Sequence, residues 1–252
     1  MFQLSNFYDN TNMKCINELG AFQVFEHEKD LSVLPETAEM AYFSSTMNVR
    51  KRQVLVNLNN SACKVQSGAM QWMLGNVNME TGVKSAGGFF KQMAGSAVTG
   101  ESAIKPIYSG QGLLMLEPTF KHILLVDVSQ WGSIVLQDGL FLACDNTLQE
   151  KVIARNNASS TMLGGEGLFN LSLSGQGIAA LESPVPQQEL VQFNLQDDVV
   201  KIDGNMAIAW SGSLQFTVEK STKSLIGSAA SGEGFVNVYR GTGSILMAPV
   251  DK

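Results

Sequence analysis

Charge is scarce in this sequence. Asp, Glu, Lys and Arg make up 16% of the 252 residues, against roughly a quarter in ordinary soluble domains. What charge there is leans acidic, with a formal net charge of −6. A nucleic-acid binder neutralises phosphates with Lys and Arg. Here basic residues gather only at Arg50-Lys51-Arg52, which reads as a solvated strand start, so nucleic acid is excluded as a partner. Cysteine is nearly missing. Cys15, Cys63 and Cys144 are odd in number and far apart, which builds neither a disulfide framework nor a metal motif and fits a reducing compartment. The two histidines, His27 and His122, have no Cys or carboxylate at zinc-ligand spacing, and His122 beside Lys121 reads as a surface or structural residue. No stretch approaches 18 consecutive apolar residues, as a membrane-crossing helix requires. Met1-Phe2-Gln3-Leu4-Ser5-Asn6 has neither the basic nor the apolar region of a secretory signal. The expectation is a soluble, cytoplasmic protein.

Catalytic signatures are missing as well. No Gly-x-x-x-x-Gly-Lys-Ser/Thr loop is present to cradle phosphates, and the Gly-rich run from Gly227 to Gly234 lacks the Lys. No Gly-x-Ser-x-Gly elbow occurs. Ser133 and Ser213 follow Gly132 and Gly212 at turn-to-strand junctions, where serine is ordinary. The expectation is a non-enzymatic chain with no catalytic residues and no cofactor.

What the sequence has is glycine, 24 of them, and repetition. Gly100-Glu101 is followed by Ser109-Gly110-Gln111-Gly112 and an apolar run to Pro118. Gly165-Glu166 is followed by Ser174-Gly175-Gln176-Gly177 and a run to Pro184. Gly232-Glu233 is followed by Arg240-Gly241-Thr242-Gly243 and a run to Pro249. Gly68, Gly139 and Gly204 mark a second turn in each copy, the last two after Asp. Asp-Gly and Gly-x-Gly between apolar runs predict hairpins. On this reading Ser109-Gly110-Gln111 turns one closing hairpin, and Leu168–Leu173 with Ile178–Leu181 form another. Short helical turns are predicted at 85–94, 157–163 and 221–228.

A repeated unit that cannot bury its apolar face alone must stack on its neighbours. The chain is therefore expected to be all-β. A single β domain, 47–252, carries three repeats of about 65 residues, at 47–118, 119–184 and 185–250, in a closed pseudo-threefold arrangement. Residues 1–46 fall outside the repeat and read as an arm packed on that domain. In it Ala21–Phe25 and Leu31–Leu34 are predicted strands, with a turn at Pro35-Glu36, and the arm covers a sheet edge.

The run Gly68–Val83, the Gly-rich Phe89-Phe90 segment, Gly100-Glu101 and Ser109-Gly110-Gln111-Gly112 together resemble the family named for altered inheritance of mitochondria and its bacterial relatives. The resemblance extends over most of the chain from about residue 20. It implies a double-stranded β-helix fold like that of the tryptophan RNA-binding attenuation protein (TRAP-like). It also implies, for the mitochondrial member, association with the inner membrane. It supplies no catalytic residues, and the RNA-binding role of the fold's namesake does not travel with the fold.

Two constellations are candidates for function. Glu101, Glu166 and Glu233 occupy matching positions in the three copies, and a tight ring of them would bind a hard cation or share protons. Equally, each Glu serves only its own turn. Phe89, Phe90 and Met93 lie between glycines, as in an apolar tip for a partner or lipid surface. They also suit a core or subunit-interface plug. The expected role is a scaffold or protein-interaction module, assembled as a homo-oligomer, with a trimer as the expected size. The alternatives are a peripheral membrane protein and a small-ligand or metal-binding protein.

Overall fold

The computed structural model describes residues 3–81, 105–154, 169–220 and 235–250. The described chain is nearly all β, with one α-helix, α1 (Ala38–Thr46), and three single turns of 3-10 helix. Before α1 come β1 (Met13–Leu19) and β2 (Phe22–His27). Three long strands follow: β3 (Arg52–Val65), β4 (Met70–Glu80) and β5 (Ile107–Leu116). The middle of the chain is cut finer, into β6 (His122–Asp127), β7 (Ser133–Leu136), β8 (Phe141–Asp145), β9 (Gln149–Ala154), β10 (Phe169–Ser174) and β11 (Ile178–Ser183). The last third holds β12 (Val191–Asp203), β13 (Ala207–Ser211), β14 (Gln215–Lys220) and β15 (Phe235–Met247).

Among the described residues all pairings are antiparallel and form two sheets. One runs β1-β2-β3-β8-β11-β6, with β5 joining β3 to β4. The other runs β12-β15-β13-β7-β10-β9, with β14 on β15. The middle third thus gives β6, β8 and β11 to the first sheet and β7, β9 and β10 to the second. Strand β3 is buried on both faces near its start. Val54, Val56 and Leu58 pack with Phe22 and Leu114, while Leu55 packs the other way, on Phe7, Phe25 and Met115. A third cluster joins Leu136, Phe141, Leu173, Leu181 and Ile208 in the middle, and a fourth centres on Trp210, Tyr239 and Ile245. Each such side chain contributes about 1.5–3 kcal/mol by leaving water.

The predicted hairpins are not hairpins. Gly110 and Gly112 lie inside β5, which runs through them unbroken, and Gly241 and Gly243 lie inside β15. At Gly175 and Gly177 the chain leaves β10 and enters β11, but β10 bonds β7 and β9 while β11 bonds β6 and β8. The glycines serve close approach and a bend, not reversal. A Cβ on Gly110 would strike the Asn76 carbonyl oxygen, and one on Gly112 the Leu74 carbonyl oxygen. The Asp-Gly turns likewise hand the chain on to new neighbours. β7 and β8, on either side of Gly139, lie in different sheets.

The arm departs from expectation too. Leu31–Leu34 is not a strand. Asp30 accepts from the Ser32 amide and hydroxyl, and the segment turns into α1. The helix has ordinary signals. Pro35 opens the preceding 3-10 turn, Glu36 and Glu39 lie in the first turns, and Asn48 ends it at φ 64, the left-handed position that Asn tolerates. Arg52 is not solvated but 2% exposed. Strand β4 runs unbroken from Met70 to Glu80 through Gly75. The predicted helical turns at 85–94, 157–163 and 221–228 lie outside the described residues.

Candidate functional site: an apolar face on the N-terminal arm

Glu101, Glu166 and Glu233 lie outside the described residues, as do Phe89, Phe90 and Met93. Among the described residues no group of three or more His, Cys, Asp or Glu is placed to hold a metal ion. His27 is structural. Its Nε2 meets Gln53 Oε1 at 2.8 Å, and Gln53 Nε2 donates to Gln71 and to the Leu116 carbonyl. Burial pushes the Cys63 thiol up to about 12 and raises that of Cys144 as well, so neither offers the thiolate that nucleophilic chemistry needs.

The feature that stands out is α1 and the segment before it. No residue of α1 is buried. Leu31, Leu34, Met40, Tyr42, Phe43 and Met47 are 58–77% exposed. Tyr42 and Phe43 meet edge to face with centroids 5.5 Å apart. Single exposed apolar residues are ordinary, whereas a contiguous apolar face marks an interaction surface.

The polar side chains hold this arm down from beneath. Arg50 Nε donates to the Ser45 carbonyl at 3.2 Å, and Ser45 Oγ to the Glu28 carbonyl at 2.9 Å. Arg50 Nη1 pairs with Glu26 at 2.9 Å, and Lys51 with Asp30 at 2.7 Å. The Lys51 ammonium and the Ser32 donors hold the Asp30 carboxyl down to about 2. Arg52 Nη2 donates to the Asn48 side chain and carbonyl just past the helix. Charged side chains thus anchor the arm to the strands beneath, while six large apolar side chains stay exposed alongside Glu36 and Glu39.

Two clefts flank this face. One of about 370 Å³ lies between α1 and the strand start, lined by His27, Met40, Ala41, Arg50 and Phe120. A larger one of about 880 Å³ shares Val49 and Phe120 with it. Its floor is Leu140, Val185, Ile208 and Ala248, and the Lys121–Glu182 ion pair at 2.7 Å lies on its rim. The sequence carried a signal for the exposed face, since Met40, Phe43 and Met47 fall at helical spacing. Spacing alone reads such a stripe as a buried one. Among the described residues no helix is long and apolar enough to cross a membrane.

Comparison with known proteins gives the lineage. An uncharacterised protein of Streptococcus pyogenes serotype M6 is 29% identical over 191 residues, covering 73% of this chain and 75% of that one. A Streptococcus pyogenes protein solved by X-ray crystallography in a structural genomics programme superposes with a TM-score of 0.60 at 25% identity, over 81% of this chain and 90% of that one. The family model described as mitochondrial biogenesis AIM24 matches residues 43–250. By that match, over the β strands from the end of α1 onward, the chain belongs to the AIM24 family.

Proposed function

We propose that this chain is a non-enzymatic interaction module, working as a homo-oligomeric scaffold that docks a protein partner through the apolar face of its N-terminal arm. The observation that carries this reading is the arm itself, which leaves six large apolar side chains exposed above a polar, ion-paired base. Glu36 and Glu39 lie on the same arm and would repel an anionic lipid surface, which favours protein over membrane. The proposal includes the three-copy, TRAP-like reading of the fold. Support comes from the pairing of β5 and β15. Each bonds the long strand that opens its own copy, and in the middle copy the same opening and closing stretches pair in two pieces, β6 with β11 and β7 with β10. Three free cysteines, two of them buried, accord with the cytoplasm.

The test is photo-crosslinking in cells from a benzophenone side chain at position 42. A discrete crosslinked protein, lost in the Phe43→Ser variant at unchanged melting temperature, supports the reading. Crosslinks to lipid alone replace it with the peripheral-membrane alternative. No crosslink at all overturns docking through this face.

A further inference from the structure

We infer that the outer edge of β12 pairs antiparallel with the start of β4 in a second copy of this chain, in a register fixed by the two junctions inside the chain. The inference rests on the three-copy, homo-oligomeric reading proposed above, and names its surface.

The two internal junctions are alike. At the first, the end of β3 pairs with β8, with Cys63 opposite Asp145, Lys64 opposite Cys144 and Val65 opposite Ala143. At the second, the end of β7 pairs with β13, with Ile134 opposite Ser211, Val135 opposite Trp210 and Leu136 opposite Ala209. The same two hydrogen bonds bracket both. Gln66 N–H donates to the Leu142 carbonyl at 2.7 Å, and Gln137 N–H to the Ile208 carbonyl at 2.9 Å. Asn146 N–H donates to the Ala62 carbonyl at 3.0 Å, and Gly212 N–H to the Ser133 carbonyl at 2.9 Å. Each copy thus offers the end of its opening strand to the strand after the next copy's Gly turn.

A third such pair of edges exists and is not joined. Among the described residues β4 bonds only β5, and β12 bonds only β15. Matching positions follow from partners on the shared strand. Tyr108, one residue before Ser109-Gly110, pairs with Cys63, and Tyr239, one residue before Arg240-Gly241, pairs with Val200. Val200, Lys201 and Ile202 therefore stand where Cys63, Lys64 and Val65 stand. Leu114 and Ala179 each lie two residues past the second glycine, and pair with Met73 and Cys144. Trp72, Met73 and Leu74 therefore stand where Ala143, Cys144 and Asp145 stand. The joint between copies then sets Val200 opposite Leu74, Lys201 opposite Met73 and Ile202 opposite Trp72. Gly75 N–H donates to the Val199 carbonyl, and Asp203 N–H to the Gln71 carbonyl.

The exposure of these strands fits an unfinished joint. Cys144 is fully buried in its junction, whereas Met73 is 44% exposed. Lys201 is no obstacle to pairing, because Lys64 occupies the same place at the first junction and sends its ammonium to the Leu148 carbonyl at 2.7 Å. The two edges differ from each other and lie on different sheets, so the contact is head-to-tail, and repetition closes a ring or extends a filament.

The test is disulfide trapping in a Cys15→Ser background. Residues directly opposite in an antiparallel pair have Cα atoms about 4.5–5.5 Å apart, within disulfide range. Met73→Cys and Lys201→Cys proteins, each unreactive alone, are expected to form a crosslinked dimer when mixed and oxidised. The double variant is expected to form a ladder of higher species. A second variant, Lys201→Pro, removes an N–H that alternation turns outward, as it does Gln137 N–H at the second junction. It should leave the melting transition in place and abolish assembly. A double variant that crosslinks only within monomers shows that one chain closes on itself, and overturns the inference. An oligomer by native mass spectrometry without the crosslink overturns this register while leaving a homo-oligomer standing. A monomer overturns both.

Discussion

Arg52 Nη2 and Glu26 Oε2 lie 2.7 Å apart, joining the first residue of β3 to β2 where solvent barely reaches, with side-chain exposures of 2% and 11%. Arg52 also donates to the Asn48, Arg50 and Phe120 carbonyls. A buried pair of this kind fixes geometry more than it adds stability, but removing one partner strands the other. Arg52→Ala is expected to cost about 3–5 kcal/mol by urea denaturation. The double variant Arg52→Met/Glu26→Leu should recover part of that loss. A cost below about 1 kcal/mol would mean the pair is screened like a surface one.

Two glycines with positive φ should answer differently to the same change. Gly68 has φ +83 with open space around its missing Cβ, and Gly110 has φ +134 with the Asn76 carbonyl in the way. Gly68→Ala pays for the left-handed conformation alone, about 1–2 kcal/mol. Gly110→Ala must also push β4 off β5 and should cost clearly more, with a broadened or lost melting transition. Equal costs would show that approach between the strands is not what glycine secures there.

The three thiols should separate by access. Cys15 is exposed, while Cys63 and Cys144 are buried with raised pKa values. A thiol reagent at pH 8 is expected to label one cysteine per native chain and three in denaturant. Rapid labelling of a second native thiol would mean that the β3–β8 junction opens readily.

The arginine fork of Arg240 grips Glu219 at 2.6 and 2.9 Å, and this hydrogen bonding, with help from Thr217, holds the Glu219 carboxyl down to about 2. A carboxylate whose folded pKa is depressed adds stability above its unfolded value of roughly 4, and loses it as pH falls through the folded value. The difference in melting temperature between the wild type and Glu219→Gln should be level above about pH 5. It should shrink between about pH 4 and pH 2. The pair is partly exposed, so the effect is small and should fade with added salt.

The fold class was legible because its signals are local. Apolar runs of strand length punctuated by Gly predict β structure, and they form it. Pairing partners were not legible. Gly110 and Gly112 look the same in sequence whether a chain reverses or bends past a neighbouring carbonyl, and only the position of Asn76, far away in sequence, decides between them. Helix α1 carried Pro35, Glu36, Glu39 and Asn48 as markers, yet Leu31–Leu34 beside it reads as a strand when judged by side chains alone. The exposed arm escaped sequence reading for a further reason. Periodicity locates an apolar stripe but not the side from which it will be covered, and Met40, Phe43 and Met47 are left largely exposed.

The division of the middle third between both sheets bears on how this protein comes apart. Strands β8 and β7 are joined by a short turn, yet one is bonded to β3 and the other to β13. No cut between the first, middle and last thirds leaves a piece with its own complete ladder. Heating should therefore give one calorimetric transition, with the slowest-exchanging amides of β8 and β7 released at the same free energy.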